Sequence, residues 1–273
     1  MTFLNPKLYN LFGDSMNLTA DMITMLNNRV SPVIFESVHS TNLVAKDLAL
    51  QGASEGTLVI AGRQTAGVGR CGRTFFSPDG GIYMSLILRP TQSKADFLFI
   101  TVAAAVALSQ SIERLSGKKC YIKWVNDIYI DDKKVCGILT QGRFSLDGNI
   151  PEYAVLGVGI NLVTPKDGFP DEISGIAGSV FDKESVPPKV KAELTADFCE
   201  RFFSFYDYME SKTFLEEYRL RSYLTGKKIE YGGADGVLHT ATVTGIDDNA
   251  RLIVRENGKT VKLNSGDIKI KRT

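Results

Sequence analysis

Two lysines lie in segments that the sequence predicts to be successive strands. Lys123 opens the largely apolar run Lys123–Ile130, and Lys134 precedes the apolar residues of Val135–Leu139. An ammonium group is costly to bury unless an anion meets it, so these lysines indicate a pocket that binds phosphate or carboxylate. The alternative is that each lysine lies on the solvent face of an antiparallel sheet, and the two segments alone leave both interpretations open.

A segment rich in glycine and arginine lies upstream, at residues 62–73. Residues 67–72 match the pattern G-x-G-x-x-G, which in dinucleotide-binding proteins opens a helix. Here a proline and two glycines follow, and then the apolar strand Ile82–Leu88, so the sequence argues against that fold. The segment instead predicts a loop between two strands, in which backbone amides and the guanidinium groups of Arg70 and Arg73 bind an anion. A flexible, solvated hairpin is the alternative.

Five motifs, in this order, resemble the biotin protein ligase family. They are Ser40-Thr41-Asn42, the loop from Gln64 to Arg73 with the Phe-Ser-Pro that follows it, Lys123 to Asp127, Lys134 to Leu139, and Gly157 to Leu162. The resemblance covers roughly residues 35 to 165 and continues more weakly from Leu224 to the C-terminus.

Four positions depart from the family pattern. The family usually has arginine where Val68 and Cys71 stand, tryptophan where Phe75 stands, and proline where Val125 stands. Both arginines of the loop, at positions 70 and 73, are retained. The departures therefore bear on affinity and loop behaviour more than on the reaction.

The resemblance implies a fold and a reaction. The expected fold class is α+β: a mixed, largely antiparallel sheet packed with helices, as in class II aminoacyl-tRNA synthetases, plus a small C-terminal SH3-like β-barrel. The expected reaction uses ATP and Mg²⁺. Biotin is activated to biotinyl-5′-AMP and then transferred to a lysine of a biotin carboxyl carrier protein or domain.

The same resemblance assigns side chains to the two substrates. The hydroxyls of Ser40 and Thr41 would bind the ureido ring of biotin, and Lys134 would bind its carboxylate and the bridging phosphate. Lys123 would contact the phosphates, while Asp127 would hold Mg²⁺ or orient Lys123. The implied biotin-binding residues are Ser40, Thr41, Asn42, Gln64, Gly67, Arg70, Lys134, Gly137, Leu139 and Gly157; the ATP-binding residues are Arg70, Arg73, Phe75, Lys123, Asn126, Asp127, Ile160 and Asn161; and the catalytic residues are Lys134, Lys123 and Arg70.

The loop at 67–72 is expected to close over the activated intermediate as a lid, because a mixed anhydride can hydrolyse in water. Gly157 and Gly159 are expected at the pocket floor, where backbone or ligand comes close. Ile160 would then pack against the ligand, and Asn161 would face the nucleotide.

Simpler interpretations need no ligand. Ser40 or Thr41 is an ordinary N-cap for the helix predicted at 43–50. The two glycines at 157 and 159 are explained equally well by a tight contact between sheet and helix. Capping and ligand binding are compatible, since both follow from a helix that begins at a pocket.

Composition argues against several other classes. The 273 residues include 32 basic and 31 acidic side chains, which removes the bulk attraction to nucleic acid or membranes that a strongly basic chain has. Four cysteines without C-x-x-C spacing and only two histidines argue against structural zinc and a disulfide framework, and favour a reducing cytoplasm. No apolar run of membrane-spanning length and no signal peptide are expected.

The chain divides into three predicted parts. Residues 1–30 form an N-terminal extension with one short helix at 19–27, too short for a DNA-binding domain, so no specific DNA binding is expected. Residues 31–223 form the catalytic domain, and residues 224–273, where short strands alternate with turn signals, form the barrel. Further elements predicted in the catalytic domain are helices at 95–115, 187–209 and 213–223 and strands at 120–124, 127–131, 134–141 and 153–161.

Two alternative functions remain open at this point. A lipoate-protein ligase would use the same domain and chemistry, although the Lys-Trp-x-Asn-Asp strand, the glycine and arginine loop and the barrel favour biotin. A non-catalytic, ligand-sensing regulator would need a DNA-binding domain. Related enzymes form homodimers through an exposed sheet edge, and no residue of this sequence identifies that surface.

Overall fold

The structure is a computed structural model that describes most of the chain. The described residues are Ile23, 27–91, 93–94, 96–145, 148–232, 236–264 and 268–271. The helix predicted at 19–27 lies outside these residues, apart from Ile23 and Asn27.

A seven-stranded sheet organises the chain before residue 224. Its strands are β1 (Ser31–Val38), β2 (Thr57–Gln64), β3 (Ile82–Leu88), β4 (Tyr121–Lys123), β5 (Asp127–Ile130), β6 (Lys133–Phe144) and β7 (Pro151–Ile160). They are arranged in the order β1-β2-β3-β7-β6-β5-β4. β1 and β2 run parallel, and every other neighbouring pair is antiparallel. The predicted mixed, largely antiparallel sheet is therefore confirmed.

Helices cover both faces of this sheet. They are α1 (Thr41–Leu50), α2 (Leu98–Ser116), α3 (Asp171–Ser174), α4 (Val190–Tyr206) and α5 (Phe214–Leu220). The helices predicted at 43–50, 95–115, 187–209 and 213–223 are confirmed, with ends that differ by a few residues. α1 connects the parallel strands β1 and β2, as a crossover between parallel neighbours requires.

Helix α2 is long, apolar and largely buried. The sequence predicted no apolar run of membrane-spanning length. Contrary to that prediction, α2 is long and apolar enough to cross a membrane, but 72% of its most apolar window is buried inside the protein. It ends at Gly117, whose φ of 69° is left-handed and whose amide donates to the carbonyl oxygen of Glu113. Its apolar surface is accounted for by packing within the described structure.

The two faces of the sheet have separate cores. The larger core joins α2 to side chains such as Leu86 and Leu156. The smaller core joins Ala45 and Ala49 of α1 to Val155 on the opposite face of β7. Because side chains alternate along a strand, each strand supplies both cores. The N-terminus of α1 therefore lies on the sheet face that α2 does not cover.

A second, five-stranded antiparallel sheet follows the helices. Its strands are β8 (Lys228–Gly232), β9 (Leu238–Ile246), β10 (Leu252–Glu256), β11 (Lys259–Leu263) and β12 (Ile268–Ile270), in the order β11-β10-β9-β8-β12. This small C-terminal sheet is consistent with the predicted SH3-like domain.

The two sheets meet at the loop between β4 and β5. The indole Nε1 of Trp124 donates a hydrogen bond to the carbonyl oxygen of Ala250 at 2.8 Å. From the other side, the hydroxyl of Tyr218 in α5 donates to the carbonyl oxygen of Val125 at 3.0 Å. All four residues are buried. Polar groups from α5 and from the C-terminal sheet therefore hold the loop that carries Asn126.

The substitution Trp124→Phe tests this junction. It keeps an aromatic ring but removes the N–H that satisfies the buried carbonyl of Ala250, so the free energy of unfolding should fall by about 1–3 kcal/mol. Urea denaturation measures this change. Tyr208→Phe, at a side chain that is 72% exposed, is the control and should change it by less than about 0.5 kcal/mol. Equal stability of the two variants would mean that the indole contact does not hold the sheets together.

Candidate active site

A pocket opens on the sheet face that carries α1. It lies where the N-terminus of α1 and the loop after β2 meet strands β6 and β7. Its lining residues are Ser40, Thr41, Asn42, Gln64, Val68, Gly69, Arg70, Phe75, Asn126, Lys134, Gly137, Ile138, Leu139, Gly157, Val158 and Gly159. The structure thus brings together most of the residues that the sequence assigned to biotin.

Glycines form the floor of the pocket. Gly137 of β6 lies opposite Gly159 of β7 in the strand register. A Cβ atom at Gly159 would collide with the ring of Phe75, and one at Gly157 would collide with the side chain of Asn42. The predicted close approach is therefore present, and at Gly157 it is also the predicted contact between sheet and helix.

A hydrogen-bond network closes one end of the pocket. The backbone amide of Thr41 donates to Gln64 Oε1 at 2.8 Å, and the Thr41 hydroxyl lies 3.1 Å from the same oxygen. Ser85 Oγ lies 2.8 Å from Thr41 Oγ1 and 2.6 Å from Asn42 Oδ1. Asn42 Nδ2 in turn donates to Gln141 Oε1 at 3.1 Å. These contacts fix the positions of the Thr41, Asn42 and Gln64 side chains at this end of the pocket.

Sequence analysis missed Ser85 and Gln141. Ser85 is a fully buried serine in β3, whose other residues are apolar, and such a lone polar residue in an apolar strand was an available signal. Gln141 lies two residues beyond Leu139 in β6, so strand alternation places it on the same face.

Ser40 occupies the N-cap position of α1 but does not cap the helix. Its backbone is extended, and its side chain makes no capping hydrogen bond. The hydroxyl oxygen is buried without a hydrogen-bond partner in the described structure. The N-cap interpretation is therefore wrong for this side chain. A buried, unsatisfied hydroxyl that lines a pocket is available to a polar ligand.

A β-bulge sets the direction of Lys134. In the pairing of β5 with β6, Ile128 faces Cys136 but Tyr129 faces Lys134, so Val135 is an extra residue. Val135 and Cys136 both join the core on the α2 side. Because side chains alternate along a regular strand, the extra residue is what turns the lysine to the pocket face.

Lys134 forms an ion pair with Asp127, in which Nζ lies 2.7 Å from Oδ1. Asp127 Oδ1 is buried and has no partner other than Lys134 within the described structure, so this oxygen retains capacity for a further ligand. The prediction placed Asp127 on Lys123 or on Mg²⁺. Lys123 lies opposite it in the β4 and β5 register, but the ion pair is formed with Lys134.

Lys123 lies beside the pocket and not in its lining. Burial is the main cause that lowers the pKa of its ammonium group, and Asp127 opposes this effect. The positive charges of Lys134, Arg73 and Lys227 lower the pKa further. Several cations therefore converge around one carboxylate, as expected of a site that binds a polyanion.

Arg70 connects the loop after β2 to the sheet. Its Nη1 donates to Asn126 Oδ1 at 2.9 Å, and Asn126 Nδ2 donates to the carbonyl oxygen of Ile138 at 2.8 Å. Val68 and Thr74 form a β-bridge across the loop. The loop is therefore anchored at both its base and its tip and is not a free, solvated hairpin.

The remaining residues that the sequence assigned to a substrate lie in or near the loop and the glycine floor. Phe75 lies on the glycine floor, with Lys134 Nζ 5.8 Å from its ring centre. Leu139 lines the pocket, whereas Gly67 packs against the backbone of Phe75 and the side chain of Ser77. Arg73 is exposed.

Two predicted ligand contacts are not found at the pocket. Ile160 is fully buried in the core on the α2 side of β7, because alternation turns it away from Gly159. Asn161 Nδ2 donates to the carbonyl oxygen of Gly178 at 3.0 Å and lies 3.5 Å from that of Lys134. Both side chains have structural partners at the end of β7, and their assignment to ATP stays a prediction.

Two segments of the chain match known families. Residues 34–161 match the Biotin/lipoate A/B protein ligase family. Residues 226–270 match the Biotin protein ligase C terminal domain. The first segment contains all the pocket-lining residues, and the second contains all five strands of the C-terminal sheet.

Similar proteins span both segments. The bifunctional ligase/repressor BirA of Bacillus subtilis is 34% identical over 246 residues, which cover 87% of this chain and 73% of the relative. The biotin--[acetyl-CoA-carboxylase] ligase of Mycobacterium tuberculosis is 28% identical over 244 residues, covering 84% of this chain and 85% of the relative. Alignments with several other relatives cover only about half of their length, for example 44% and 48%.

The solved structure of the biotin protein ligase from Aquifex aeolicus in complex with biotin and ATP has the same fold. It superposes with a TM-score of 0.70 at 23% identity, over 89% of this chain and 99% of the other.

The substitutions Ser40→Ala and Ser85→Ala should affect stability differently. Ser85 loses contacts to two buried partners, so its replacement should lower the free energy of unfolding by about 1–3 kcal/mol. The Ser40 hydroxyl has no hydrogen bond to lose, so its replacement should change the free energy of unfolding by less than about 0.5 kcal/mol. Denaturation of both variants without ligand measures this difference, and a cost at Ser40 equal to that at Ser85 would show that its hydroxyl is structurally required.

Proposed function

This chain belongs to the biotin/lipoate A/B protein ligase family, and we propose that within this family it is a biotin protein ligase. It activates biotin with ATP to biotinyl-5′-AMP and transfers the biotinyl group to a lysine of a carrier domain. The observation that carries this proposal is the pocket itself, where a neutral hydrogen-bond network lies at one end and Lys134 and Arg70 at the other.

This arrangement suits a ligand with one neutral and one anionic end. The ureido ring of biotin has fixed donors and acceptors, and the hydroxyl of Ser40 with the network around Thr41 and Gln64 offers both kinds of partner. The carboxylate of biotin would then meet the ammonium of Lys134. The glycine floor and the ring of Phe75 supply an apolar surface for the hydrocarbon between the two ends.

In the first half-reaction, a carboxylate oxygen of biotin attacks the α-phosphate and pyrophosphate leaves with the bridging oxygen. The nucleophile is weak and the electrophile is highly anionic, so the protein must position the two and neutralise charge. Lys134 and Arg70 lie at the pocket for this role, and Lys123 lies beside it. Asp127, whose buried Oδ1 has no partner other than Lys134, would hold Mg²⁺. When bound, that ion would neutralise phosphate charge.

In the second half-reaction, the ε-amine of a carrier lysine attacks the mixed anhydride and AMP leaves. The name of the Mycobacterium tuberculosis relative supports a biotin carboxyl carrier protein as the partner. A cytoplasmic location, a homodimer and the lack of specific DNA binding stay predictions. Biotin-dependent exchange of pyrophosphate into ATP tests the activity, and exchange that requires lipoate in place of biotin would contradict the proposal.

Lys134→Ala should abolish most of the adenylation activity. Loss of one preorganised charge partner at the reacting centre should raise the barrier by about 3 kcal/mol. Pyrophosphate exchange measures the effect. The matched control is Lys133→Ala, because Lys133 directs its ammonium to the carbonyl oxygens of Ser174 and Gly175 and not to the pocket. Normal exchange in a folded Lys134→Ala variant would contradict the assigned role.

Arg70→Gly should release the intermediate. The variant should still form biotinyl-adenylate but bind both substrates more weakly, because its loop loses the contact to Asn126 and must order a longer glycine run. Preformed biotinyl-adenylate should dissociate faster, and exposed lysines of a bystander protein should become labelled.

Asn126→Ala separates the two roles of Arg70. It removes the anchor of the unliganded loop but keeps the guanidinium for the intermediate. Faster release in both variants would identify the anchor as the cause, and faster release in Arg70→Gly alone would identify ligand contact. Retention equal to wild type in both would show that the loop at 67–72 is not the lid.

A further inference from the structure

A row of aromatic and basic side chains leads from the pocket to the C-terminal sheet. Tyr129 and Tyr223 stack with their ring centres 4.7 Å apart and their planes 21° from parallel. Lys123 Nζ lies 5.8 Å from the centre of the Tyr129 ring, and Lys227 Nζ lies 3.3 Å from the centre of the Tyr223 ring. Lys134 pairs with Tyr129 in the strand register, so the row begins at the pocket.

The backbone holds the far end of this row in place. The segment after α5 runs beside the edge strand β4, where the amide of Ile122 donates to the carbonyl of Arg221 at 2.7 Å and the amide of Tyr223 donates to the carbonyl of Ile122 at 2.9 Å. The carbonyl of Lys227 accepts a hydrogen bond from the amide of Val243 in β9 at 3.0 Å. Lys227 is therefore fixed at the junction of the two sheets.

The row has an excess of positive charge. Asp127 is already paired with Lys134, and Asp132 accepts a hydrogen bond from the Tyr223 hydroxyl at 2.7 Å. Within the described part of the chain, no carboxylate oxygen lies within 4.0 Å of the Lys227 ammonium. The cations that face the row are Arg73, Lys123, Lys134 and Lys227, and the carboxylates that face it are Asp127 and Asp132.

A polyphosphate is the anion that matches this pattern. A single carboxylate or phosphate at Lys134 would leave the outer lysines unneutralised, whereas a triphosphate carries several charges in a line. We propose that Lys227 binds the β- and γ-phosphates of ATP, so that the segment leading into the C-terminal sheet contributes a side chain to the active site. This inference rests on the proposed function, because that function makes the triphosphate a substrate.

The reaction gives Lys227 a defined part. Adenylation forms a bond between the biotin carboxylate oxygen and the α-phosphorus and breaks the bond from that phosphorus to the bridging oxygen. The electron pair leaves with pyrophosphate, which gains negative charge. A lysine at the outer phosphates stabilises that charge electrostatically and does not contact biotin. Its loss should therefore affect ATP and pyrophosphate without affecting biotin.

The test uses the full chain with Lys227→Gln, which keeps a polar side chain but removes the charge. Lys228→Gln is the matched control, since Lys228 is the next residue and is exposed on β8. Lys227→Arg restores a cation. The readouts are the dissociation constant of inorganic tripolyphosphate measured by calorimetry without biotin, and the KM values for ATP and for biotin in pyrophosphate exchange.

Lys227→Gln should weaken tripolyphosphate binding and raise the KM for ATP by about tenfold each, with the KM for biotin unchanged. Lys228→Gln should match the wild type, and Lys227→Arg should recover most of the loss. Tripolyphosphate affinity and ATP KM equal to those of Lys228→Gln would overturn the assignment. If the wild type shows no biotin-dependent exchange but tripolyphosphate binding still depends on Lys227, the anion site stands and the proposed function fails.

Discussion

Burial of one face of the large sheet in the core that contains α2 confines the chemistry of this protein to the other face. Every strand that crosses the pocket buries the side chains on one face and turns those on the other face to the pocket. The face on which a residue lies in this alternation therefore decides its role. In the part of β6 that pairs with β5, the extra residue Val135 interrupts the alternation. The interruption turns Lys134 to the pocket, whereas regular alternation would place it in the apolar core. In β7 the alternation is regular from Tyr153 to Ile160, and glycines leave the space that the ligand needs.

The second sheet is more than an appendage to this arrangement. Its contact to Trp124 is made on the loop that also carries Asn126, and Asn126 in turn holds Arg70. A displacement of the C-terminal sheet would therefore reach the loop at 67–72 through two hydrogen bonds. The interface between the two sheets stabilises the fold and also sets the geometry of the anion-binding end of the pocket.

Much of this could be predicted because motifs specify which segments meet. The apolar runs predicted the strands, and the five motifs predicted a common pocket. Side-chain direction was harder. The position of Ile160 behind the floor follows from alternation with Gly159, so the sequence contained that information. No sequence pattern marks the bulge at Val135. Without knowledge of the bulge, the sequence does not show whether Asp127 pairs with Lys123 or with Lys134.

The hydrogen bonds at the uncharged end of the pocket have a defined direction. The Ser85 hydroxyl lies near two oxygens but has one proton, and since the carbonyl oxygen of Asn42 cannot donate, that proton is directed to Asn42. The Thr41 hydroxyl then donates either to Ser85 or to Gln64. A ligand that donates to Gln64 Oε1 favours rotation of the Thr41 proton towards Ser85, whereas a ligand acceptor placed at that oxygen is repelled because the oxygen has no proton to donate. The order of donors and acceptors in a ligand, and not only its outline, therefore decides whether it matches the hydroxyl protons at this end of the pocket.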